Sequence, residues 1–533
     1  MSLFQTNFTT LDWGIVVTYL LGSIAIGVWA NRYVGNLSDY LVAGRTLRVR
    51  LALATMTGTE LGLVTIMYMS ELGYKQQYAS LYLALLEALS FFAVGATGFL
   101  VYRLRQTAVL TVPEFYEQRY SRGVRVLGGT MMVISGVLNM GLFLKAGSMF
   151  VTAVTGMSDP EHLKWMMTAL LLLVLLYTVL GGMVSVVITD LIQFLVLGTG
   201  MLIVTGMVVY NISFEGFADV VTKHNGYFDP TDSHNRSAAD GSGGIGLLGV
   251  FKMGVVVFAA SMLWPTSVAR TLSVKSPEVA QKLYLFSTIP LLARRALPIV
   301  WGIGAFAFFH ANSELGGALA TAVDDAESGI TILSATPLYL AKIIPTGLLG
   351  LVTAGMIAAF MSTHDSYLLC WSGVVTQDIV APLFGPLSQR TRILITRIAI
   401  VAIGAVLLTW GLWYELSSDL WNYMTITGTV YLAGALPVAI GGLYWKRSST
   451  AGAYAALLGG LCGLLSMGPV LNRIRSWPSV ESFEQSLRFE LTADHVTLLT
   501  FVVSLGGFVA GSLLFPSRAA ADATDDNSTG DAS

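Results

Sequence analysis

The sequence predicts an all-α polytopic membrane protein built around two inverted repeats of five helices each. Three observations carry this. Of 533 residues, 54% are hydrophobic and only 12% are charged, with a mean hydropathy of +0.68, a composition outside the soluble range. Apolar runs of roughly 20 residues, enough to cross a bilayer core, recur about thirteen times. Two of those runs, the second and the seventh, are interrupted near mid-depth. They stand five spans apart, the spacing expected of a five-plus-five repeat with its site at the breaks.

Taken in order, the expected spans are 11–30, 50–73, 78–102, 124–156, 163–180, 184–210, 244–268, 283–311, 333–370, 391–412, 416–443, 451–470 and 494–515. In the second, Thr57-Gly-Thr-Glu-Leu-Gly62 places two glycines and a carboxylate at membrane depth. A mid-span carboxylate is rare and tends to be functional, which favours Glu60 as a site residue over simple glycine packing. Gly181-Gly182 is expected to form a tight turn between the fifth and sixth spans. The polar stretch 211–243, with Asp229-Pro-Thr-Asp232 and a glycine run from Gly241, reads as a surface excursion. Trp264-Pro265-Thr266 breaks the seventh span. The stretch 333–370 is too long for one span, so a short interfacial helix ending near Pro345 precedes a span starting at Leu348. The expected organisation is a leading helix and loop (1–48), a first repeat (49–242), a second repeat (243–445), additional C-terminal helices (446–515) and a disordered tail (516–533).

Basic residues set the orientation. With the N-terminus outside, Arg32, Arg45, Arg48, Arg50, Arg103, Arg105, Arg119, Arg122 and Arg125 fall on the cytoplasmic side. So do Arg270, Lys275, Lys282, Arg390, Arg392, Lys446 and Arg447, while the outer loops hold fewer. A multi-pass protein of the plasma (inner) membrane, N-terminus out and C-terminus cytoplasmic, is expected. Residues 1–10 lack the basic start of a secretion signal, so no cleavable leader is expected. The net charge of −2 gives no footprint for nucleic acid. Two cysteines in apolar stretches imply no disulfide framework. Neither a phosphate-binding loop nor a metal-ligand histidine cluster occurs, which argues against ATP-driven transport.

The chemistry concentrates in 350–370. Its apolar start gives way to Ser362, Thr363, His364, Asp365 and Ser366. On a helix Ser362, Asp365 and Ser366 share one face, with Ala359 and Thr363 beside it. Oxygen donors so clustered suit a hard cation such as sodium. Hydroxyls that pack helices together are the other reading, and the stretch alone does not separate the two.

Four further stretches carry a family resemblance: Ser38-Asp-Tyr-Leu-Val-Ala-Gly-Arg45, Thr111-Val-Pro-Glu-Phe115, the long stretch from Tyr177 to Gln193 that includes Gly181-Gly182 and Asp190, and Arg270-Thr-Leu-Ser-Val-Lys-Ser276. Together they resemble the sodium:solute symporter family over roughly 10–450, the third most specifically. The resemblance implies the leucine-transporter-type five-plus-five fold, a sodium ion as coupling ion and a small organic solute as partner. It also implies a main sodium site from the carbonyls of Gly58, Leu61 and Ala359 and the hydroxyls of Ser362 and Thr363. A second cation site would match Asp190, Ser362, Asp365 and Ser366, with Asp365 where some members carry a hydroxyl. The sugar-transporting branch differs here: Val257, Ala260 and Leu291 stand where it has polar residues, and apolar walls would leave sugar hydroxyls unpaired.

Glu60, Arg294, Arg295 and Trp264 are the solute-site candidates. The arginines have two readings. One binds an anionic solute group by a bidentate bridge; in the other, one arginine pairs with Glu60 or Glu87 while its neighbour reaches the interface. Tyr68 and Trp421 are candidates for gating, Lys145 for solute charge and His364 for a proton. The expected function is sodium-coupled symport by alternating access. The alternatives are proton coupling and a solute sensor without net transport. A membrane-embedded enzyme is disfavoured, because adjacent His364 and Asp365 point about 100° apart on a helix.

Overall fold

The computed structural model describes residues 3–30, 45–157, 159–222, 228–232, 245–325, 328–385, 387–414, 420–487 and 490–516. The stretch 38–44, about half of the loop 211–243 (223–227 and 233–243) and nearly all of the expected tail lie outside them. The described chain is helical; its one β-bridge joins Leu47 and Val274.

The helices that build the site are α1 (Thr10–Ala30), α2 (Val49–Glu60), α3 (Leu63–Gln76), α4 (Tyr82–Thr97), α5 (Arg122–Met140), α6 (Phe143–Thr155) and α7 (Pro160–Thr222). They continue with α8 (Gly246–Leu263), α9 (Pro265–Ser273), α10 (Pro277–Ala311), α11 (Leu348–Val374), α12 (Gln389–Trp413) and α13 (Leu420–Tyr444). Among the described residues, nine helices are long and apolar enough to cross a membrane, or ten if the pair bent by 82° at 450–475 is one span. The thirteen spans read from the sequence are not reached by this measure. The leading helix passes only as the shorter segment Thr10–Ile26, and α3 merges through a 3₁₀ turn with α4 into one stretch of 35 residues.

Both expected breaks are present. Leu61 leaves helical conformation (φ −90°, ψ 55°), and the chain resumes as α3 after Gly62. Trp264 is extended (φ −63°, ψ 124°) between α8 and α9, and Pro265 opens α9, where its missing N–H costs nothing. Around the expected turn at Gly181-Gly182 the residues keep helical conformation, from Pro160 to Thr222. Contacts nevertheless bring both ends of α7 to one face. Pro160 follows α6, where the Val154 carbonyl accepts from Thr6, and Asn7 on the same segment donates to the Lys342 carbonyl. Asn211 accepts from Tyr339, three residues before Lys342. The stretch therefore doubles back, as two antiparallel spans would.

Capping fixes α11. Gly347 has φ +84°, a conformation that favours glycine. It lets Asp12 Oδ1 accept from the N–H groups of both Gly347 and Gly350, at 2.7 Å each, an anion on a helix N-terminus. The short helix Ala335–Ile343 precedes it, as the excess length of 333–370 predicts.

The two broken spans meet at one end. Leu47, just before α2, accepts from Lys275 N–H (3.1 Å) and donates to the Ser273 carbonyl (3.2 Å) at the end of α9.

Candidate functional site

A helix leaves its last four carbonyls without intrahelical partners. In α2 these belong to Thr57, Gly58, Thr59 and Glu60; the first three residues are buried and Glu60 is half-buried. The carbonyl of Thr57 accepts from Leu61 N–H at 2.9 Å. Gly58 accepts from the Ser362 hydroxyl at 2.7 Å and Thr59 from the Thr363 hydroxyl at 3.2 Å. Arg294 donates to the Glu60 carbonyl and, at 2.9 Å, to its carboxylate. The negative end of the α2 dipole thus points at two hydroxyls of α11. Gly62 makes this approach sterically feasible, since a Cβ there would run into Thr363. Ala359 lies fully buried one turn before Thr363.

Asp190, Ser362, Asp365 and Ser366 come together beneath this point, and all four are buried. Asp190 Oδ2 accepts from Thr55 at 2.5 Å and from Thr59 at 3.4 Å. Ser366 donates to Asp365 at 3.2 Å. Into this group comes Arg270, 1% exposed, donating to Thr59 at 2.5 Å and Ser366 at 2.6 Å, and 3.4 Å from Asp190. Its expected place in a cytoplasmic loop is therefore corrected: α9 extends through Ser273 and carries Arg270 into the core. The sequence signal existed. A helix restarted by Pro265 needs more than one turn, so ending the span at 268 cut it short.

Above the hydroxyl pair lies a cavity of about 110 Å³. Thr363 and Glu60 form its floor, and Trp264, Tyr68 and Trp421 are among its walls. Arg294 and Arg295 also line it, yet both are already paired. Arg294 bridges Glu60 and Glu87 at 2.9 Å each, and Arg295 meets Glu87 at 2.7 Å while its guanidinium stacks 4.9 Å over Trp421. Neither reaches an interface. Glu60 is further held by Thr266 (3.0 Å) and Ser267 (2.6 Å) from α9, so the two broken spans are joined across their breaks. Trp264 donates to Tyr367 at 2.7 Å, and Tyr68 stacks on Trp421 with centroids 5.0 Å apart.

Two residues lie away from the cavity. Lys145 donates to the Tyr414 carbonyl at 3.3 Å. His364 binds the Phe360 carbonyl through Nδ1 at 2.8 Å and packs between the rings of Phe143 and Phe360. Sequence reasoning missed Thr55, Thr59 and Asn139. The threonines are spaced i, i+4 on α2, and that spacing was the available signal. Asn139 offered none, being a lone amide in an apolar span.

Two broken spans paired at one depth, with unwound carbonyls facing hydroxyls, define a secondary transporter of the leucine-transporter type. The chain belongs to the sodium:solute symporter family, whose description matches residues 40–460. Sodium-coupled symport, with sodium as the coupling ion, is therefore its activity. It is 24% identical over 468 residues to a sodium/glucose cotransporter of Vibrio parahaemolyticus, covering 85% of this chain and 84% of that protein. It is also 24% identical to a sodium/proline symporter of Staphylococcus aureus (strain Newman), covering 84% and 83%. In fold it is similar to a Na+-coupled sialic acid symporter in a substrate-bound outward-open state, with a TM-score of 0.74 and 17% identity, covering 95% of this chain and 99% of that one. Mhp1, a nucleobase-cation-symport-1 family transporter, gives a TM-score of 0.51 at 11% identity, covering 89% and 95%.

Proposed function

We propose that sodium binds where α2 ends against α11, held by the carbonyls of Gly58, Leu61 and Ala359 and the hydroxyls of Ser362 and Thr363. The observation that carries this is the accounting of the α2 carbonyls. Two of the four are covered only by rotatable hydroxyls. A sodium ion can replace both hydrogen bonds, because each hydroxyl turns its proton away and offers a lone pair. Leu61, out of helical conformation, adds a carbonyl free of the helix register.

The solute occupies the cavity directly above, where Thr363 belongs to both sites. Glu60, Arg294, Arg295 and Trp264 shape that cavity. Sodium links the break in α2–α3 to α11, and solute then bridges to α8–α9 and α13. The two repeats rock about this point to expose it to either side. Relatives that carry glucose and proline support a small organic solute of this size range. The basic-residue bias supports a plasma-membrane protein with its N-terminus outside and its C-terminus in the cytoplasm.

The test is uptake in proteoliposomes at fixed pH with sodium varied. Ser362→Ala and Thr363→Ala each remove one of five oxygens, and half-maximal uptake should then need about tenfold more sodium. Unchanged sodium dependence in both variants rejects the site.

A further inference from the structure

Thr111-Val-Pro-Glu-Phe115 lines neither proposed site, yet its start floors a second, smaller cavity of about 40 Å³. Two elements lead from the solute cavity to this one. Along the seventh span, Trp264 lines the upper cavity and Pro265 the lower. Along α11, Tyr367 lines the upper, and Leu369 and Cys370 the lower. Trp371, fully buried, meets the rings of Trp264 and Tyr367 at centroid distances of 6.0 and 5.8 Å. The helix α9 has two faces. Thr266, Ser267 and Arg270 bind Glu60 and Asp190 on the sodium side. Val268, Ala269 and Leu272, on a separate stripe, line the lower cavity. That cavity holds about three water-sized positions. A solute that fills the upper cavity, 110 Å³ against 40 Å³, passes it only if the floor moves.

Leu110, Thr111 and Val112 form that floor, at the start of the helix Val112–Arg119. Thr111 caps the helix by accepting from Glu114 N–H at 3.2 Å, and Glu114 Oε2 accepts in turn from Leu110 N–H at 2.6 Å. These bonds make the floor one unit. The Thr111 hydroxyl fastens it, donating to Asp378 Oδ1 at 2.8 Å. Asp378 is fully buried just beyond α11, in the π-helical turn Val375–Val380, a rare form that recurs at functional sites. Arg125 of α5 donates to the same oxygen at 2.8 Å and to the Gln377 carbonyl at 2.9 Å. It also meets Glu117, whose side chain is 36% exposed, so that contact adds little. Contacts of two strengths therefore meet at Asp378. Taking the cation from a buried carboxylate is costly. The hydroxyl bond exchanges for one to water at modest cost. Breaking the hydroxyl bond alone frees the floor, while Arg125 keeps the buried charge compensated.

We infer, taking the upper cavity as the solute site, that Asp378 is a positioning residue of the transport cycle. Through Thr111 it latches the floor of the lower cavity. Release of that bond opens the way out between α9 and α11, on the side that the basic residues assign to the cytoplasm. One helix bears both the sodium hydroxyls and the latch, which lies roughly 22 Å beyond Thr363. Sodium between α2 and α11 holds the upper end of this helix, and the Thr111 bond holds the lower.

Cys370, half-buried on the wall of the lower cavity, is a native reporter. The test follows its alkylation by N-ethylmaleimide in the full chain carrying Cys462→Ser, in detergent, with and without saturating sodium. Sodium should slow the reaction in this parent. With sodium present, Thr111→Val and Asp378→Asn should each speed it about tenfold, the effect of losing one hydrogen bond to a charged group. Thr111→Ser keeps the hydroxyl and should react at the parent rate. Thr111→Val preserves side-chain volume, so it carries the test if Asp378→Asn does not fold. A chain keeping Cys462 and carrying Cys370→Ser reports general loosening, and the same substitutions should leave its rate unchanged. Unchanged Cys370 rates in both variants overturn the latch. So does equal acceleration at Cys462, or a Thr111→Ser chain as fast as Thr111→Val. A parent rate indifferent to sodium, with both variants still faster, supports the latch and overturns the sodium reading. Ala260→Cys, in a chain without native thiols, tests the upper cavity separately: if it stays unreactive in every condition, the solute reading fails while Cys370 still judges the latch.

Discussion

Glu87 shows how much one side chain holds in this core. It neutralises two adjacent guanidiniums, both 5% exposed. Glu87→Gln leaves two buried positive charges sharing Glu60 alone. Breaking a buried pair from one side costs about 3–5 kcal/mol, so thermal unfolding in detergent should show a large destabilisation. The double variant Glu87→Gln/Arg295→Gln removes the orphaned charge and should recover most of that loss. If the double variant is as unstable as the single, charge balance is not what fixes the quartet.

At the scale of elements, the close approach of α2–α3 to α11 rests on the missing side chain at Gly62. A Cβ there would overlap Thr363, so α11 must shift or the hydroxyl must turn away from Thr59. Overpacking of this sort costs about 1–3 kcal/mol. Gly62→Ala should raise the sodium needed for half-maximal uptake about tenfold or more, read from initial rates across a sodium series. The neighbouring Gly58 is less constrained, since its nearest foreign atom would be the Asp190 carbonyl oxygen at 3.4 Å. Gly58→Ala should therefore be milder than Gly62→Ala in the same assay. The reverse order would place the critical contact elsewhere.

At the scale of the whole molecule, the two broken spans are tied twice. Glu60 is held by Thr266 and Ser267 at the breaks, and Leu47 is bridged to Ser273 and Lys275 at the far ends. Rocking of the repeats must open one of these contacts. Leu47→Cys paired with Val274→Cys, in a chain with Cys370 and Cys462 replaced, should cross-link on oxidation. Uptake should then stop and return on reduction; uptake that survives a complete cross-link would show that this end stays closed through the cycle. Arg270 makes a prediction at the same scale. With its guanidinium among Asp190, Thr59 and Ser366, Arg270 stands where a second cation would sit, and the sodium Hill coefficient should be near one. Arg270→Gln vacates a fixed positive charge beside Asp190, and the coefficient should rise above one.

Some of this was written in the chain itself. Composition and run length determine a helical membrane protein, because a bilayer admits only segments whose backbone bonds are satisfied internally. The breaks at Gly62 and Pro265 were legible, since glycine and proline act on their own backbone and need no partner to do so. The hydroxyls of Ser362 and Thr363 were legible as well, because an α-helix fixes which neighbours share a face. What the sequence could not carry was pairing between distant elements. Arg294 and Arg295 were readable either as ligands for an anion or as a partner of Glu60 or Glu87, and only the packing of α10 on α4 showed both meeting Glu87. Arg270 counted as a loop charge until α9 folded it against Asp190, 80 residues earlier in the chain. Asn139 was one amide in an apolar span until α13 fixed its Nδ2. Local conformational preference acts through a few neighbouring bonds and is readable in order. Charge compensation and cavity shape depend on which helices touch, and the tertiary structure alone decides that.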